Sequence, residues 1–252
     1  NKTLDIAGKL LVDKRKKLTH EAFMRAFSKV EVFYASKMKR YFYELRRSLL
    51  NDVEKSFSTK SVSDLMSFDW EKFNKHLKKL SVSAVTSAVK TGVNIAKVNI
   101  QAAFSEDNFD LKVISYIDSR LNKLTRINDT MKKKVNDIFK DSITQGLSVQ
   151  DTANKVRDLF NISASKALTI ARTEVVGAAN GGSNLYMKEV GIAQHQWLTA
   201  HDEHVRETHQ SLDGEIVDIG KKFRNGLEFP GDDGANKPEE SINCRCVTIA
   251  VI

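Results

Sequence analysis

Cysteine is absent from the first 243 residues of this 252-residue chain, and proline from the first 229. Only Gly8, Gly92 and Gly146 among the 12 glycines precede residue 177. Proline and glycine are the strongest helix breakers, so their scarcity predicts long helices. Cys244 and Cys246 stand one residue apart. Two such thiols make no disulfide framework, which favours a reducing, intracellular setting. No apolar run reaches transmembrane length and no secretory pattern opens the chain, so no membrane partner is expected. The first residue is Asn rather than Met, which points to a fragment or a processed product.

What is present is unevenly placed. Residues 1–160 carry 31 Lys and Arg against 19 Asp and Glu, a balance of +12, whereas residues 161–252 carry −4 of the total +8. A basic body suits a polyanion such as nucleic acid, and equally a solvated helix surface. Between Thr19 and Phe57, Phe23, Phe27, Val30, Tyr34, Met38, Tyr41, Leu45, Leu49, Val53 and Phe57 recur every three or four residues. That is one stripe of an amphipathic helix, about 55–60 Å long. Lys37, Lys39, Arg40, Arg46 and Arg47 flank the stripe, and Lys132, Lys133 and Lys134 form a second basic run. These eight are the candidate nucleic-acid contacts.

A polar connection is expected over Ser58–Phe68. A short helix capped by Asp69 follows, carrying Trp70, Phe73, Leu77 and Leu80. A third helix from Ser81 carries Val82, Val85, Val89, Val93, Ala96, Ile100 and Phe104, with small residues that permit close approach. A fourth runs from Asp110 to Gln145 through Ile114, Ile117, Leu121, Leu124, Met131, Val135 and Ile138, and Gly146 suits its end. Ser148 caps another helix that ends at Asn161. Ser163 opens the next, which Gly191 stops. Few basic residues lie on this last helix, which argues against base reading by a helix-turn-helix.

After Gly191 the texture changes. His195–Thr199 and Glu215–Ile219 alternate like strands, with a turn at Asp213-Gly214, and Cys246–Ile252 reads as a closing strand. Residues 226–240 read as a Gly/Pro/Asp loop. The fold class is α+β: an elongated, mostly helical bundle over residues 1–146, then a small α+β module over 147–252, with helices at 148–190 and a small sheet at 194–252.

Four of the six histidines share the last 58 residues with both cysteines. Residues two apart on a strand face the same way, so Cys244 and Cys246 can meet one ion while Arg245 points away. With His209 they are chemically fit to bind Zn2+, and Asp213, His201, His204 or water could be a fourth ligand. The alternative is two thiols packed as small hydrophobes. His201-Asp202-Glu203-His204 is not HExxH, and the deaminase pattern is absent. Arg206, His209 and Asp213 could form a polar cluster at a turn, either structural or the minimum of a general base. Arg172 and Glu174 could be buried partners or catalytic groups. No nucleophile is positioned by sequence.

The order Ile170-Ala171-Arg172-Thr173-Glu174, Asn180, Gly191, Trp197, Asp202, Val205-Arg206, His209, Leu212-Asp213-Gly214 and Asn243-Cys244-Arg245-Cys246 resembles the phage Mu F-like head morphogenesis family, or minor head proteins. The resemblance covers about residues 148–252, and the helical stretch before it also looks like that family's variable N-terminal part. It implies a non-enzymatic minor capsid role in a tailed bacteriophage or prophage. Such proteins work in the bacterial cytoplasm during assembly and then in the virion interior. The implied partners are the portal, the inner capsid or scaffold, and double-stranded DNA bound without sequence preference. Some members travel with the genome at ejection. Similar modules also resemble parts joined to toxin domains, so the alternative is a hydrolase or transferase using Arg172, Glu174, Arg206, His209 and Asp213. A third reading is a zinc-stabilised nucleic-acid-binding protein unrelated to phage.

Overall fold

The computed structural model describes the backbone of residues 2–59, 68–100 and 109–252, and side chains of residues 20–53, 68–100 and 109–252. Among the described residues six long helices come first: α1 (Lys2–Thr59), α2 (Trp70–Ile100), α3 (Phe109–Lys123), α4 (Thr125–Thr144), α5 (Val149–Ser165) and α6 (Ala167–Glu189). Then follow β1 (Gln194–Leu198), a short α7 (Glu207–Gln210), β2 (Ile216–Asp218), a short α8 (Pro238–Ser241) and β3 (Val247–Val251). The α+β class expected from the pattern is the observed one. No described helix is long and apolar enough to cross a membrane.

The α1 stripe packs as its spacing predicts. Phe23, Phe27, Tyr34, Met38, Tyr41, Leu45, Leu49 and Val53 are all buried. The Phe57 side chain, Phe104 and most of the 58–68 connection lie outside what is described. The helix also begins earlier than Thr19.

Three expected boundaries move. The break at Leu80-Ser81 does not exist, and α2 runs straight through it. Ser81 Oγ donates back to the Leu77 carbonyl at 2.7 Å, so its hydroxyl serves a continuing helix rather than a cap. Ser163 does the same toward Leu159 at 2.9 Å, and α5 passes Asn161 to end at Ser165. The expected 110–145 helix is instead two, interrupted at Leu124, whose backbone stays helical (φ −59°, ψ −25°). Val82 and Ile114, expected to face inward, are exposed.

Other signals hold. Ser148 Oγ accepts from the Asp151 N–H at 3.1 Å, capping α5. Gly146 (φ +62°) ends α4, with Leu147 N–H donating to the Ser142 carbonyl and Gly146 N–H to that of Ile143. Gly191 (φ +73°) ends α6 by the same paired bonds to Met187 and Lys188. Both positions need the left-handed backbone that glycine adopts without strain.

The residues group into two compact units that interleave along the chain. One comprises residues 33–83 and 118–168. Its core holds a buried polar chain: the Tyr41 hydroxyl donates to Asn128 Oδ1 at 2.7 Å, and Asn128 Nδ2 donates to Asn74 Oδ1 at 2.8 Å. The other comprises residues 1–32, 84–117 and 169–252. Here α2 and α6 meet through small residues. A Cβ added at Gly92 would lie 2.0 Å from the Ala179 carbonyl oxygen, and one at Gly182 would lie 2.4 Å from that of Val89. The sheet of this unit is antiparallel in the order β2-β1-β3, with His195 paired to Val217 on one side and Ala250 on the other. Gly214 (φ +81°) makes the expected turn, donating to the Trp197 carbonyl at 2.9 Å.

Candidate metal centre

Cys244 and Cys246 lie just before β3 rather than on it, yet their side chains converge. His209 reaches them from α7. Its Nδ1 is 3.6 Å from Cys244 Sγ and 3.5 Å from Cys246 Sγ. Among the described residues this trio is grouped closely enough to hold one ion, with its donor atoms within 4.8 Å of one another, and all three residues are buried. Both thiols are free of disulfide. The Cys246 N–H points at the Cys244 sulfur at 3.4 Å. Trp197, Leu212, Phe223 and Leu227 surround the thiols. The Trp197 ring meets the His209 ring edge-on, with centroids 5.2 Å apart.

Glu240, which the pattern did not single out, completes the arrangement. Its Oε2 lies 2.8 Å from His209 Nε2 and also accepts from Thr208 Oγ1 at 3.3 Å and Asn225 Nδ2 at 3.4 Å. It sits on α8, within the stretch read as loop. Pro238 at the start of that helix, followed by two glutamates, is the signal that could have revealed it.

The electrostatics follow from this packing. The neighbouring Cys246 sulfur and the His209 ring hold Cys244 down to about 5, against burial. Cys246 is pushed up by Cys244 beside it and by burial. Burial lowers His209, but its bonds to Cys244 and Glu240 outweigh that and raise it overall. Thiol, imidazole and carboxylate in this order resemble an activated nucleophile. However, Cys244 is only 2% exposed. A nearby open cleft is lined by Thr199, His201, Asp202, Glu203, Val205, Gln210 and Asp213, not by the thiols.

The other candidates are dispersed. Arg206 stays close enough to His209 to act on it electrostatically, but the side chains of Arg206, His209 and Asp213 bond elsewhere rather than to one another. Arg206 donates to the Ile242 carbonyl, while Asp213 Oδ1 accepts from the Thr199 N–H at 2.8 Å and its hydroxyl at 3.0 Å. Asp213, His201 and His204 stand outside the thiol group: His201 lies 3.6 Å from Asp213, and His204 3.7 Å from Glu203. Arg172 turns to Asn243 Oδ1 at 2.9 Å and to Glu31 Oε2 at 3.4 Å, and Glu174 is half-buried on the same helix. Asn243 takes a left-handed backbone (φ +58°) and donates its N–H to Thr173 Oγ1 at 2.9 Å. Asn180 Nδ2 donates to the Cys246 carbonyl at 3.0 Å. Arg245 points away from the thiols, as expected, to Asp202 at 2.8 Å. The helix motif and the terminal Asn-Cys-Arg-Cys are thus one structural unit.

The basic candidates sit on α1 and α4. Lys39, Arg40, Arg47 and Lys132–Lys134 are exposed. Arg40 pairs with Glu44 at 2.9 Å. Arg46 donates to Asn161 at 2.8 Å, and Lys37 lies 4.4 Å over the Phe33 ring.

Residues 133–249 match the family described as Phage Mu protein F like protein. Among curated proteins, the minor head protein GP7 of Bacillus phage SPP1 is 30% identical over 123 residues, 44% of this chain and 39% of that protein. The NAD(+)--arginine ADP-ribosyltransferase EFV of Enterococcus faecalis is 33% identical over 141 residues, 53% of this chain and 28% of that protein. The uncharacterized protein YqbB of Bacillus subtilis is 26% identical over 126 residues, 47% of this chain and 41% of that protein. The matches therefore span well under half the length of these relatives. No solved structure matches the chain.

Proposed function

We propose that this chain is a minor head protein of a tailed bacteriophage or prophage, acting in capsid assembly without catalysis. The observation that carries the reading is the Mu F-like match over residues 133–249, which contains the whole His209/Cys244/Cys246 group. The similarity to a minor head protein over 123 residues agrees with it. The burial of the thiols favours a structural use of these groups over a hydrolase or transferase. The ADP-ribosyltransferase named above shares only 28% of its length in the match, so its activity is not carried over.

In this reading the chain joins the procapsid beside the portal and inner capsid or scaffold. It then works in the virion interior after assembly in the bacterial cytoplasm. The exposed cations of α1 and α4 bind double-stranded DNA through phosphates, without reading bases. The proposed domains at 1–146 and 147–252 would place the DNA contacts in the first, with Lys133 and Lys134 at the edge of the Mu F-like match. The test is assembly in the parent phage or prophage. Removing the gene should lower the yield of DNA-filled heads, and antibody should find the chain in procapsids and on portal complexes. A normal particle yield, with the chain missing from purified procapsids, would refute the proposal.

A further inference from the structure

We infer that His209, Cys244 and Cys246 bind a zinc ion, and that Glu240 orients His209 for it. The inference is independent of the assembly role and stands or falls separately.

A tetrahedral zinc site has edges of known length. With Zn–S near 2.3 Å and Zn–N near 2.0–2.1 Å, a tetrahedral site separates nitrogen from sulfur by about 3.6 Å. The two observed separations are 3.6 and 3.5 Å. Two nitrogen–sulfur edges thus already have the length an ion would impose. The third edge is shorter than 4.8 Å.

The ring orientation of His209 also suits an ion. Glu240 Oε2 lies 2.8 Å from Nε2, and a carboxylate there accepts a proton-bearing nitrogen. In the neutral ring that leaves Nδ1 bare, with its lone pair aimed between two sulfurs. Carboxylate, imidazole and metal in line is the common outer-shell arrangement of a zinc-bound histidine. Thr208 and Asn225 hold the same carboxylate oxygen, so the carboxylate is itself positioned. The Cys246 N–H directed at Cys244 Sγ is the kind of bond that stabilises a ligating thiolate.

The sheet has strands of only five, three and five residues. A small core of this kind gains from a staple. Zinc would join α7 to the segment entering β3 through these three side chains.

The experiment uses the full chain. Protein made in zinc-supplemented medium and dialysed against metal-free buffer should retain about one zinc per chain by elemental analysis. Cobalt loaded in its place should give tetrahedral visible bands and thiolate charge-transfer absorption. The double variant Cys244→Ser/Cys246→Ser should lose both. Because that change can also unfold the module, Glu240→Gln supplies a second arm. It keeps all three ligands, and zinc affinity measured against a chromophoric chelator should fall about 10–100-fold while circular dichroism stays unchanged. Folded wild-type chain that takes up neither zinc nor cobalt would overturn the site, as would undiminished zinc binding by the double variant. Unchanged affinity in Glu240→Gln would overturn the role of Glu240.

Discussion

Replacing Gly92 with alanine pits two effects of opposite sign against each other. Helix propensity favours the change by about 1 kcal/mol in a helix interior. The new methyl, however, would sit 2.0 Å from the Ala179 oxygen, 2.8 Å from its carbonyl carbon and 3.0 Å from its Cα. The obstacle is helix backbone, so no side chain can rotate away. Relief requires α2 and α6 to part by about 1 Å, and loss of contact on that scale costs a large share of dispersion energy. Overpacking of a core costs about 1–3 kcal/mol, occasionally more, and an immovable neighbour puts this site at the upper end. The net expectation is a loss of about 2 kcal/mol. At about 2–4 °C per kcal/mol for a chain of this size, the melting temperature should fall by about 4–8 °C. Gly181→Ala provides the comparison. Its methyl would meet the Tyr116 hydroxyl at 1.8 Å and two carbons of that ring at 2.3 and 2.9 Å, but these are side-chain atoms, and a shift of the ring relieves them without parting two helix backbones. Gly181→Ala should therefore cost clearly less than Gly92→Ala. Thermal melts followed by circular dichroism, with urea titrations beside them, would read the order. A Gly92→Ala protein as stable as wild type would refute the close approach of the two helices.

His195 is fully buried with neither ring nitrogen bonded, and burial pushes it from 6.5 down to about 4. It stays neutral in the fold while the unfolded chain takes up a proton below pH 6.5, so it removes stability as pH falls from 6.5 to 4. The ceiling is about 3 kcal/mol; His195→Phe should flatten that part of the acid stability profile, and an identical profile would count against the buried neutral ring. Asp213→Ala should cost about 1–2 kcal/mol in urea titrations by stranding the Thr199 donors, while leaving any bound zinc in place. Zinc lost from that variant would make Asp213 a ligand after all. For DNA, affinity should fall steeply with salt. Changing Lys132, Lys133 and Lys134 to Gln should reduce the log–log salt slope by up to about 2.7. A slope unmoved by those changes would exclude α4 as a phosphate contact.

Periodicity carried the helices because the apolar stripe of α1 is set by burial, which local spacing reports directly. It failed where the deciding fact was a single hydroxyl. Ser81 and Ser163 read equally well as caps or as helix-interior residues, and only the carbonyl four residues earlier settles which. Val82 and Ile114 were misplaced because each lies near the margin of its stripe, where a small phase error changes the face. The thiol-imidazole group was legible from residue type alone. Its brace was not: Glu240 lies 31 residues from His209 in a stretch without periodicity. Asp213 was expected beside Arg206 and His209 at a turn, but α7 ends at Gln210 and the chain turns Asp213 toward Thr199 instead.

The interleaving of the chain has a consequence for birth on the ribosome. His20 Nε2 meets the Arg245 carbonyl at 2.8 Å across 225 residues, and Glu31 waits 141 residues for Arg172. At about 5–20 residues per second, the early helix is made about 10–45 s before its last partner emerges. Its phenylalanines must be shielded during that interval, so translation speed and chaperone supply should govern the yield of this protein more than its final stability does.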